Sequence, residues 1–565
     1  MSTATNIWLA AEILREQFIH KQQTIDNDAF LAAADGPELG PHLVLAFAAF
    51  VARSVEQPCS NELLLDILKH FTATYLANAD VHTFASHYDH VLRKSLLTDY
   101  FLALSTLEAH FSSDDVPRSP PSALLTAAKD GKAGIFALFG GQGANEVYFD
   151  ELKALYDIYK PYVASLIVTI SKDVLEPLAM KAETEGYGFY SYGLDVLSWL
   201  DGSAPVPPVE YLASIPISFP LIGLTQLVQY LSTCSALNVT PGDVRELIQG
   251  TTGHSQGIVS AICIATSTTV ASFIENASKA LKWLFYCGLR GQEAFPVLAL
   301  EPHIVNDAVE GGEGVPTPML SVTGLALDIL EKHIKGTNKH LPCNSKLAVS
   351  LYNGPKAFVV TGPPKALYGL VTSLRKIRAP TGLDQSKVPF SQRKAVFSTR
   401  FLVIGVPYHS PYLDGVSEKV CTVDMEGEEL WTAEDLALPV YHTENGKQRH
   451  IVHINAFFKY LFSGTDLREC HESLTRSLCD QIFIQPIHWT SATAFPETAT
   501  HVVDFGPGGL SGIGSLTARN MEGRGIRTII IGEKGKGASE LYSVAGVNYE
   551  AWWSKTFAPR LVKTA

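Results

Sequence analysis

Apolar and polar positions follow different patterns along the chain. Residues 1–115 carry apolar residues at three- and four-residue spacing, most clearly at 43–51, and this spacing predicts an N-terminal helical region. Residues 134–139 form a short unbroken apolar run, which is typical of a strand buried on both faces of a parallel sheet. Helical spacing follows at 148–156 and 221–230. Because strands and helices alternate here, the sequence predicts an α/β fold.

The pattern changes between residues 298 and 405, where the order β-α-β-β-α-β is that of a ferredoxin-like fold. The predicted strands are 318–323, 347–352, 357–361 and 401–404, and the predicted helices are 326–334 and 365–377. Strands return at 501–505 and 528–531. We therefore predict a helical region at 1–115, a first core part at 130–297, a ferredoxin-like insertion at 298–405, a second core part at 406–535 and a C-terminal strap at 536–565.

The core is predicted to centre on Gly253-His254-Ser255-Gln256-Gly257. A G-x-S-x-G sequence is typical of a nucleophile elbow, a tight turn between a strand and a helix that exposes a serine, as in an α/β-hydrolase-like core. Glycine is expected on both sides of the turn, because a Cβ atom at either place would clash. Residues 247–252 are poor in apolar residues and weaken the prediction of a preceding strand, whereas small apolar residues up to Thr266 predict a buried helix.

Composition excludes several classes of function. With 565 residues, 46% of them hydrophobic and 18% charged, the chain is globular. A net charge of −13 without any basic run argues against nucleic acid as a partner. No apolar run has the length of a membrane span and no signal-peptide pattern is present, so we predict no membrane association and a cytoplasmic location. The eight cysteines are scattered without a C-x-x-C pair, which predicts reduced thiols and no metal site.

Three further features could contribute chemistry. Gly140-Gly141-Gln142-Gly143 follows the first predicted strand and offers backbone N–H groups for an oxyanion, although a plain turn explains it equally well. His409 lies just beyond the predicted strand 401–404, where a general base is expected. Asn353 precedes a glycine at the predicted tip of a hairpin, where its ordinary role is to form the turn.

The order of six motifs carries a resemblance to a known family. The motifs are G-G-Q-G at 140–143, G-H-S-Q-G at 253–257, N-G-P at 353–355, P-Y-H-S-P at 407–411, Q-x-x-x-x-P-I-x-W at 481–489 and D-F-G-P-G at 504–508. In this order they resemble the malonyl/acetyl transferase family, and in particular the acetyltransferase domain of fungal fatty acid synthase β subunits. Since such β chains are several times longer, the resemblance also implies that this chain is an N-terminal fragment.

The resemblance implies a role for each matching residue. Ser255 would carry the acyl group, His409 would be its general base, and a backbone carbonyl within 481–486 would orient the histidine. The backbone N–H groups of Gln142 and Gln256 would form the oxyanion hole, and Asn353 would line the site. Acetyl would pass from acetyl-CoA to the phosphopantetheine thiol of an acyl carrier protein, with no bound cofactor. The implied partners are a carrier domain and the other domains of a synthase.

One position departs from the malonyl-specific members of this family. Where those relatives carry an arginine that pairs with the substrate carboxylate, the alignment places Cys287, with Arg290 three residues further on. Without a guanidinium the site is expected to prefer a neutral acyl group, so Cys287 is predicted to help bind substrate. A small thiol buried in the core is the alternative interpretation of the same residue.

Several alternatives stay open at this point. The chain could be a starter-unit transferase that takes a longer short-chain acyl group, a serine thioesterase or hydrolase with Asp384 as third triad member, or an assembly domain without turnover. Basic residues within 375–400 could meet the phosphates of CoA or an acidic carrier, or simply form a solvated face. His442 has no predicted role.

Overall fold

The structure is a computed structural model that describes residues 12–21, 40–54, 60–77, 79–143, 145–297, 299–380, 382–443, 466–469, 473–532 and 535–544. The strands are β1 Ile135–Phe139, β2 Ile248–Gly253, β3 Met319–Thr323, β4 Ala348–Gly354, β5 Ala357–Thr361, β6 Ser398–Phe401, β7 Val440–Tyr441, β8 Ile487–His488, β9 His501–Asp504 and β10 Arg527–Ile530.

Along the chain, α-helices precede the first strand, separate most of the strands and follow the last one. They comprise 12–21, Gly40–Arg53, Ser60–Phe71, Val81–Ala85, His90–Glu108, Ala123–Lys129, Tyr148–Val168, Glu176–Thr184, Val196–Asp201, Val209–Ala213, Ile215–Ala236, Pro241–Leu247, Gly257–Thr266, Val270–Ala294, Pro302–Glu310, Leu327–Asn338, Pro364–Arg375, Val416–Lys419, Leu474–Phe483, Trp489–Ala492, Ile513–Asn520 and Ala538–Tyr542. None of these described helices is both long enough and apolar enough to cross a membrane.

The N-terminal region is helical, as predicted, and it shares its core with the rest of the chain. Leu45, Phe71 and Phe101 are fully or almost fully buried in the same apolar cluster as the strand residue Phe136. Lys94 also donates to Asp157 of the helix Tyr148–Val168 at 2.8 Å. The region therefore packs against the α/β core as part of one continuous interior.

One of the two five-stranded sheets, here called the parallel sheet, is parallel throughout and has the order β10-β9-β1-β2-β7. Counted within this sheet alone, the order reads fifth, fourth, first, second, third, which is the doubly wound arrangement. The order reverses between β1 and β9, and in such sheets ligands bind beyond the carboxyl ends of the strands at this point. The mixed α/β class predicted from the sequence is confirmed.

Strand β2 forms although its sequence is polar. Thr251 and Thr252 are fully buried, and their hydroxyl groups donate to the carbonyls of Ala137, at 3.1 Å, and Tyr441, at 2.7 Å. The neighbouring strands β1 and β7 therefore satisfy the threonine side chains as well as the backbone. The weak apolar pattern at 247–252 was misleading, because a hydroxyl that bonds a carbonyl costs little to bury.

The other five-stranded sheet, here called the mixed sheet, has the order β6-β3-β5-β4-β8. The first four of these strands pair antiparallel, while β8 adds to β4 in parallel from much later in the chain. A separate apolar cluster supports this sheet, including Leu320, Val360 and Leu370. The last strand of this unit was predicted at 401–404. The observed strand, Ser398–Phe401, begins three residues earlier, because this is the stretch that pairs with β3.

The predicted strap 536–565 falls largely outside the described residues. Its described part contains the helix Ala538–Tyr542, which folds back on the N-terminal region. Ser122 donates its hydroxyl to the Leu541 carbonyl at 2.6 Å, and the N–H of Ala123 bonds the Ser543 carbonyl at 2.9 Å.

Candidate active site

The turn between β2 and the helix Gly257–Thr266 has the geometry of an elbow. Ser255 adopts a φ of 55°, in the left-handed region. A Cβ atom on Gly253 would lie 1.9 Å from the backbone carbon of Gly257, and one on Gly257 would lie 2.3 Å from the Gly140 carbonyl oxygen. The prediction that both flanking positions require glycine is confirmed.

Ser255 and His409 meet although 154 residues separate them. The Oγ atom of Ser255 lies 2.9 Å from His409 Nε2, and the two residues are only 6% and 3% exposed. His409 also adopts a positive φ, 60°, which turns its ring toward the elbow from the loop after β6. The two side chains are thus within direct hydrogen-bonding reach in a largely dry site.

Two main-chain carbonyls fix the tautomer of His409. Its Nδ1 lies 2.9 Å from the Gln481 carbonyl oxygen and 3.0 Å from that of Gln485, both inside the segment 481–486 singled out by the sequence. A carbonyl only accepts, so Nδ1 carries the proton and Nε2 is free to accept from the Ser255 hydroxyl. Burial, with a smaller contribution from nearby His254, lowers the pKa of His409 to about 3.

The side chains of Gln142 and Gln256, the two residues predicted to form the oxyanion hole, bond each other. Gln142 Nε2 donates to Gln256 Oε1 at 2.6 Å, and Gln256 Nε2 donates to the Phe219 carbonyl at 2.9 Å. Neither backbone N–H donates to an acceptor among the residues that the structure describes. The adjoining loop passes close to the elbow, since a Cβ on Gly141 would lie 3.1 Å from the Cβ of Ser255.

Gln226 holds the loops after β1 and β9 together, a role that the sequence did not indicate. Its Nε2 donates to the carbonyls of Gly140, at 2.7 Å, and Gly506, at 3.0 Å. Ser260 on the elbow helix in turn donates to Gln226 Oε1 at 2.7 Å. The only available sequence signal was a polar residue inside an otherwise apolar helical stretch, and that pattern does not indicate which groups it bonds.

Asn353 reaches the elbow from the mixed sheet, but it does not form the predicted hairpin turn. The hairpin turn is Pro355-Lys356, and Asn353 remains in β4 at an irregularity in its pairing with β5. Proline suits the first corner of a tight turn, which moves the turn beyond the predicted position. Asn353 Oδ1 accepts from His254 Nε2 at 2.9 Å, and burial lowers the pKa of His254 to about 4.

Cys287 is fully buried in the helix Val270–Ala294, and it contacts Tyr408, the residue that precedes His409. The Tyr408 hydroxyl donates to the Cys287 carbonyl at 3.4 Å, and burial raises the pKa of its thiol, which lies beside the thiol of Cys479. Its predicted contact with substrate stays a prediction.

Arg290 cannot take the place of the arginine that pairs with the substrate carboxylate in malonyl-specific relatives, because carboxylates of this chain already pair with it. It is 7% exposed in its side chain and donates to both carboxylate oxygens of Asp424, at 2.8 and 2.6 Å, and to Glu293 at 2.8 Å.

The alternative third triad member and part of the basic stretch have other partners. Asp384 is exposed and caps a short turn at Ser386, so it does not orient His409. Arg375 and Arg378 both pair with Glu313, whose side chain is fully buried. These two arginines therefore anchor the unit formed by 298–405 internally. Within the same stretch, Arg393 donates to the carbonyls of Ser386 and Val388, and Lys387 lies 3.9 Å from Asp384. His442 is buried.

Comparison with known proteins identifies the family. The family model of the N-terminal domain in fatty acid synthase subunit beta matches residues 1–107. The family model of the starter unit:ACP transacylase in aflatoxin biosynthesis matches residues 137–394. The fatty acid synthase subunit beta of Saccharomyces cerevisiae is 36% identical, over 99% of this chain and 27% of that protein. The corresponding subunit of Schizosaccharomyces pombe is 37% identical, over 98% and 26%. The chain belongs to the fatty acid synthase β-subunit family.

The match covers nearly all of this chain but only about a quarter of either relative, 27% and 26% of their lengths. Among solved structures, the acyl-carrier-protein S-malonyltransferase of Bartonella henselae is 15% identical, with a TM-score of 0.46 over 72% of this chain and 97% of that one. That likeness is too distant to add to the family assignment.

Proposed function

We propose that the chain transfers a short neutral acyl group, acetyl, from CoA through an acyl-serine to the phosphopantetheine thiol of an acyl carrier protein. The observation that carries the proposal is the Ser255–His409 contact, with His409 Nδ1 directed at main-chain carbonyls. The family match supports the transferase class and the carrier protein as partner. The other domains of a synthase and a cytoplasmic location are part of the same proposal.

The geometry supports a two-step reaction. Ser255 Oγ would attack the thioester carbonyl while its proton moves to His409 Nε2, which forms a tetrahedral oxyanion facing the N–H groups of Gln142 and Gln256. His409 would return the proton to the departing CoA sulfur as the oxyanion collapses to the acyl-serine. The carrier thiol would then attack the acyl-serine carbonyl and give its proton to His409. As the acyl–Oγ bond breaks, His409 would return that proton to Ser255 Oγ, which regenerates the serine.

A second candidate is a starter-unit transferase for a longer short-chain acyl group. The observation that favours it is the match of residues 137–394 to the starter unit:ACP transacylase family. The two candidates share every catalytic residue and differ only in acyl length. Loading rates with acetyl-, butyryl- and hexanoyl-CoA would separate them, because a faster rate with hexanoyl-CoA would favour the second candidate.

The finer description of the fold belongs to this proposal as well. The order fourth, first, third, second within β3 to β6, all antiparallel, supports a ferredoxin-like unit. The strand–serine–helix turn at Ser255 supports an α/β-hydrolase-like core, although the sheet order is the doubly wound one.

Intact-protein mass spectrometry tests the proposed intermediate and its fate. Brief exposure to acetyl-CoA should add one acetyl group to the wild-type chain and none to Ser255→Ala, while His409→Ala should load at least a hundredfold more slowly, in keeping with the 10²–10⁴-fold that a general base contributes. Peptide mapping that finds the acetyl group on a cysteine or another serine would refute the assignment. Ser278→Ala provides the control for removal of a serine hydroxyl, because Ser278 bonds only the Ile274 carbonyl within its own helix, Val270–Ala294.

The same experiment distinguishes transfer from hydrolysis. After excess acetyl-CoA is removed, the acyl-enzyme should decay slowly in buffer and rapidly when pantetheine or a carrier protein is added. Decay at one rate with or without the thiol would favour a thioesterase.

A further inference from the structure

A cavity lies where the N-terminal helices meet the core. We call it the junction cavity, and it is lined among others by Arg93, Leu97, Leu155, Ile158, Gln229 and Tyr542. Its volume is about 170 Å³. A cavity of about 150 Å³ accommodates a molecule of the size of benzene, so the junction cavity has room for a small organic ligand. Its residues are separate from those that form the Ser255–His409 site.

Two polar atoms of the cavity lining have no hydrogen-bond partner among the residues that the structure describes. One is Nε of Arg93, a donor on a cationic side chain, and the other is Oε1 of Gln229, an acceptor on a side chain that is 3% exposed. Leaving such an atom buried and unpaired destabilises the folded state. Because native structures rarely leave buried polar groups unsatisfied, two of them in one cavity indicate a missing partner.

Gly532 packs closely against the polar part of the cavity lining. A Cβ atom built on Gly532, another lining residue, would lie 3.5 Å from Gln229 Oε1 and only 2.9 Å from Glu151 Oε1. Gly532 has a φ of 101°, a conformation that strongly favours glycine. A side chain at this position would therefore collide with Glu151. The unsatisfied oxygen of Gln229 suits a ligand group that donates.

Arg93 is a positively charged donor in the same cavity lining. Its guanidinium donates through Nη2 to the carbonyls of Ser86, at 3.4 Å, and Tyr88, at 3.1 Å, and no carboxylate pairs with it within the described part of the chain. The adjacent Lys94, by contrast, is paired with Asp157 at 2.8 Å. Arg93 is thus the cation in this lining that is left to hold an anion, and a carboxylate is the group that guanidinium binds best.

We propose that the junction cavity binds a small hydroxycarboxylate. Arg93 holds its carboxylate, Gln229 Oε1 accepts from its hydroxyl, and the short aliphatic body lies against Leu97, Leu155 and Ile158. The proposal assigns a binding site that does not use Ser255, and it holds or fails independently of the acyltransfer reaction.

Calorimetric titration of the full chain with three probes tests this assignment. The probes are 3-hydroxybutyrate, butyrate, which lacks the hydroxyl, and butyramide, which also lacks the charge. We expect 3-hydroxybutyrate to bind most tightly, and butyrate to bind at least tenfold more tightly than butyramide, because hydrogen bonds to charged groups are about twice as strong as neutral ones.

Two variants assign the contacts to their residues. Arg93→Met should remove the preference for butyrate over butyramide, and Gln229→Met should remove the advantage of the hydroxyl while leaving the carboxylate preference. Arg53→Met is the matched control, because Arg53 is mostly exposed, lies outside the cavity and should leave both preferences intact. If Arg93→Met fails to fold, Arg93→Lys, which keeps the charge but has no Nε–H, should still weaken binding of butyrate.

Three results would overturn the proposal. Equal affinity of the wild type for butyrate and butyramide would mean that the cavity does not recognise a carboxylate. Unchanged binding of butyrate by Arg93→Met would place the ligand elsewhere. Absence of binding by all three probes at tens of millimolar would mean that the cavity holds water only.

Discussion

Ser255 and His409 share a backbone feature that ordinary residues avoid. Both have a positive φ, 55° and 60°, and among the described residues only three other non-glycine residues do, namely Ala77, Asn238 and Glu426. Holding an L-residue in this region costs on the order of 1–3 kcal/mol, which the surrounding structure must offset. At Ser255 the offset comes from the close strand–helix packing, and at His409 from the carbonyls that its ring bonds. Backbone strain at both Ser255 and His409 therefore accompanies the hydrogen bond between Ser255 Oγ and His409 Nε2.

The environment of His409 predicts an unusual pH dependence. Burial lowers its pKa to about 3, so Nε2 remains an acceptor far below the ordinary range. The rate of acetyl loading at low substrate should stay level from pH 8 down to pH 5, where an ordinary histidine of pKa ~6.5 would be only about 3% neutral. Rapid-quench mass spectrometry across this range measures the rate. An acid limb between pH 6 and 7 would contradict the assignment of His409 as a buried base.

The same lowered pKa affects stability, which provides the control for that experiment. Between the unfolded value near 6.5 and the folded value of about 3, the unfolded chain binds a proton that the folded chain does not. The stabilising contribution of neutral His409 is therefore complete above pH 6.5 and is lost progressively as the pH falls toward 3. His254, with a pKa of about 4, acts in the same direction. Circular dichroism at each pH must show that the chain is still folded where the rate is measured.

At the scale of elements, a clear apolar pattern in the sequence predicted a strand or helix, whereas strands of two residues could not be predicted. The strand β1 is an unbroken apolar run, β9 and β10 each contain two adjacent β-branched apolar residues, and the helix Tyr148–Val168 follows a helical pattern. The sequence therefore predicted these elements to within a few residues, apart from the far end of the helix. The strands β7 and β8 contain two residues each, too few to carry a period. They exist because a neighbouring strand pairs with them, a long-range condition that no local pattern contains.

The irregularity in β4 shows how an element can aim a single side chain. Tyr352 pairs with Phe358 and Gly354 with Ala357, which leaves Asn353 without a cross-strand partner. An extra residue of this kind bends the strand and redirects its side chain, and bulges are common beside active sites. Asn353 uses this freedom to accept from His254, the residue next to Ser255. The sequence identified Asn353 as a site residue but assigned it to the turn.

Removal of this acceptor should cost both stability and activity. Asn353→Ala leaves the Nε2–H of buried His254 without a partner, which typically costs about 1–3 kcal/mol of unfolding free energy. Because His254 adjoins the nucleophile, we also expect acetyl loading to slow at least tenfold. Thermal denaturation and the loading assay measure the two effects. Asn344→Ala, at an exposed asparagine of the same subdomain, is the matched control, and a variant at Asn353 that behaves like this control would show that the contact is dispensable.

At the scale of the whole molecule, one short segment connects the site to both sheets. The carbonyls of Gln481 and Gln485 orient His409, residues 487–488 form β8 on the edge of the mixed sheet, and Trp489 donates to Thr517 of the helix Ile513–Asn520. The contacts to His409 come from the main chain, so they depend on the path of the segment. The motif identified this segment in the sequence, but its function depends on contacts between distant parts of the chain.

The last prediction concerns the choice between acetyl and malonyl. Arg290 is the only arginine of the helix Val270–Ala294, and the paired carboxylates of Asp424 and Glu293 already occupy it. A malonyl carboxylate that enters the site would thus lack the guanidinium that the malonyl-specific alignment expects, and an unpaired buried charge typically costs several kcal/mol. Since each ~1.4 kcal/mol is a factor of ten in rate, wild type should load acetyl at least a hundredfold faster than malonyl.

Loading rates of acetyl-CoA and malonyl-CoA on three proteins test this prediction. Arg290→Met should lower the melting temperature, because Asp424 loses its partner, but it should leave the ratio of the two rates unchanged. Cys287→Arg should narrow the ratio, chiefly by slowing acetyl loading, since the fully buried thiol leaves no room for a longer charged side chain. Cys287→Ser, similar in size to the native residue, should behave as wild type. Equal loading of the two esters by the wild-type chain would refute the prediction, and a changed ratio in Arg290→Met would identify Arg290 as the carboxylate partner after all.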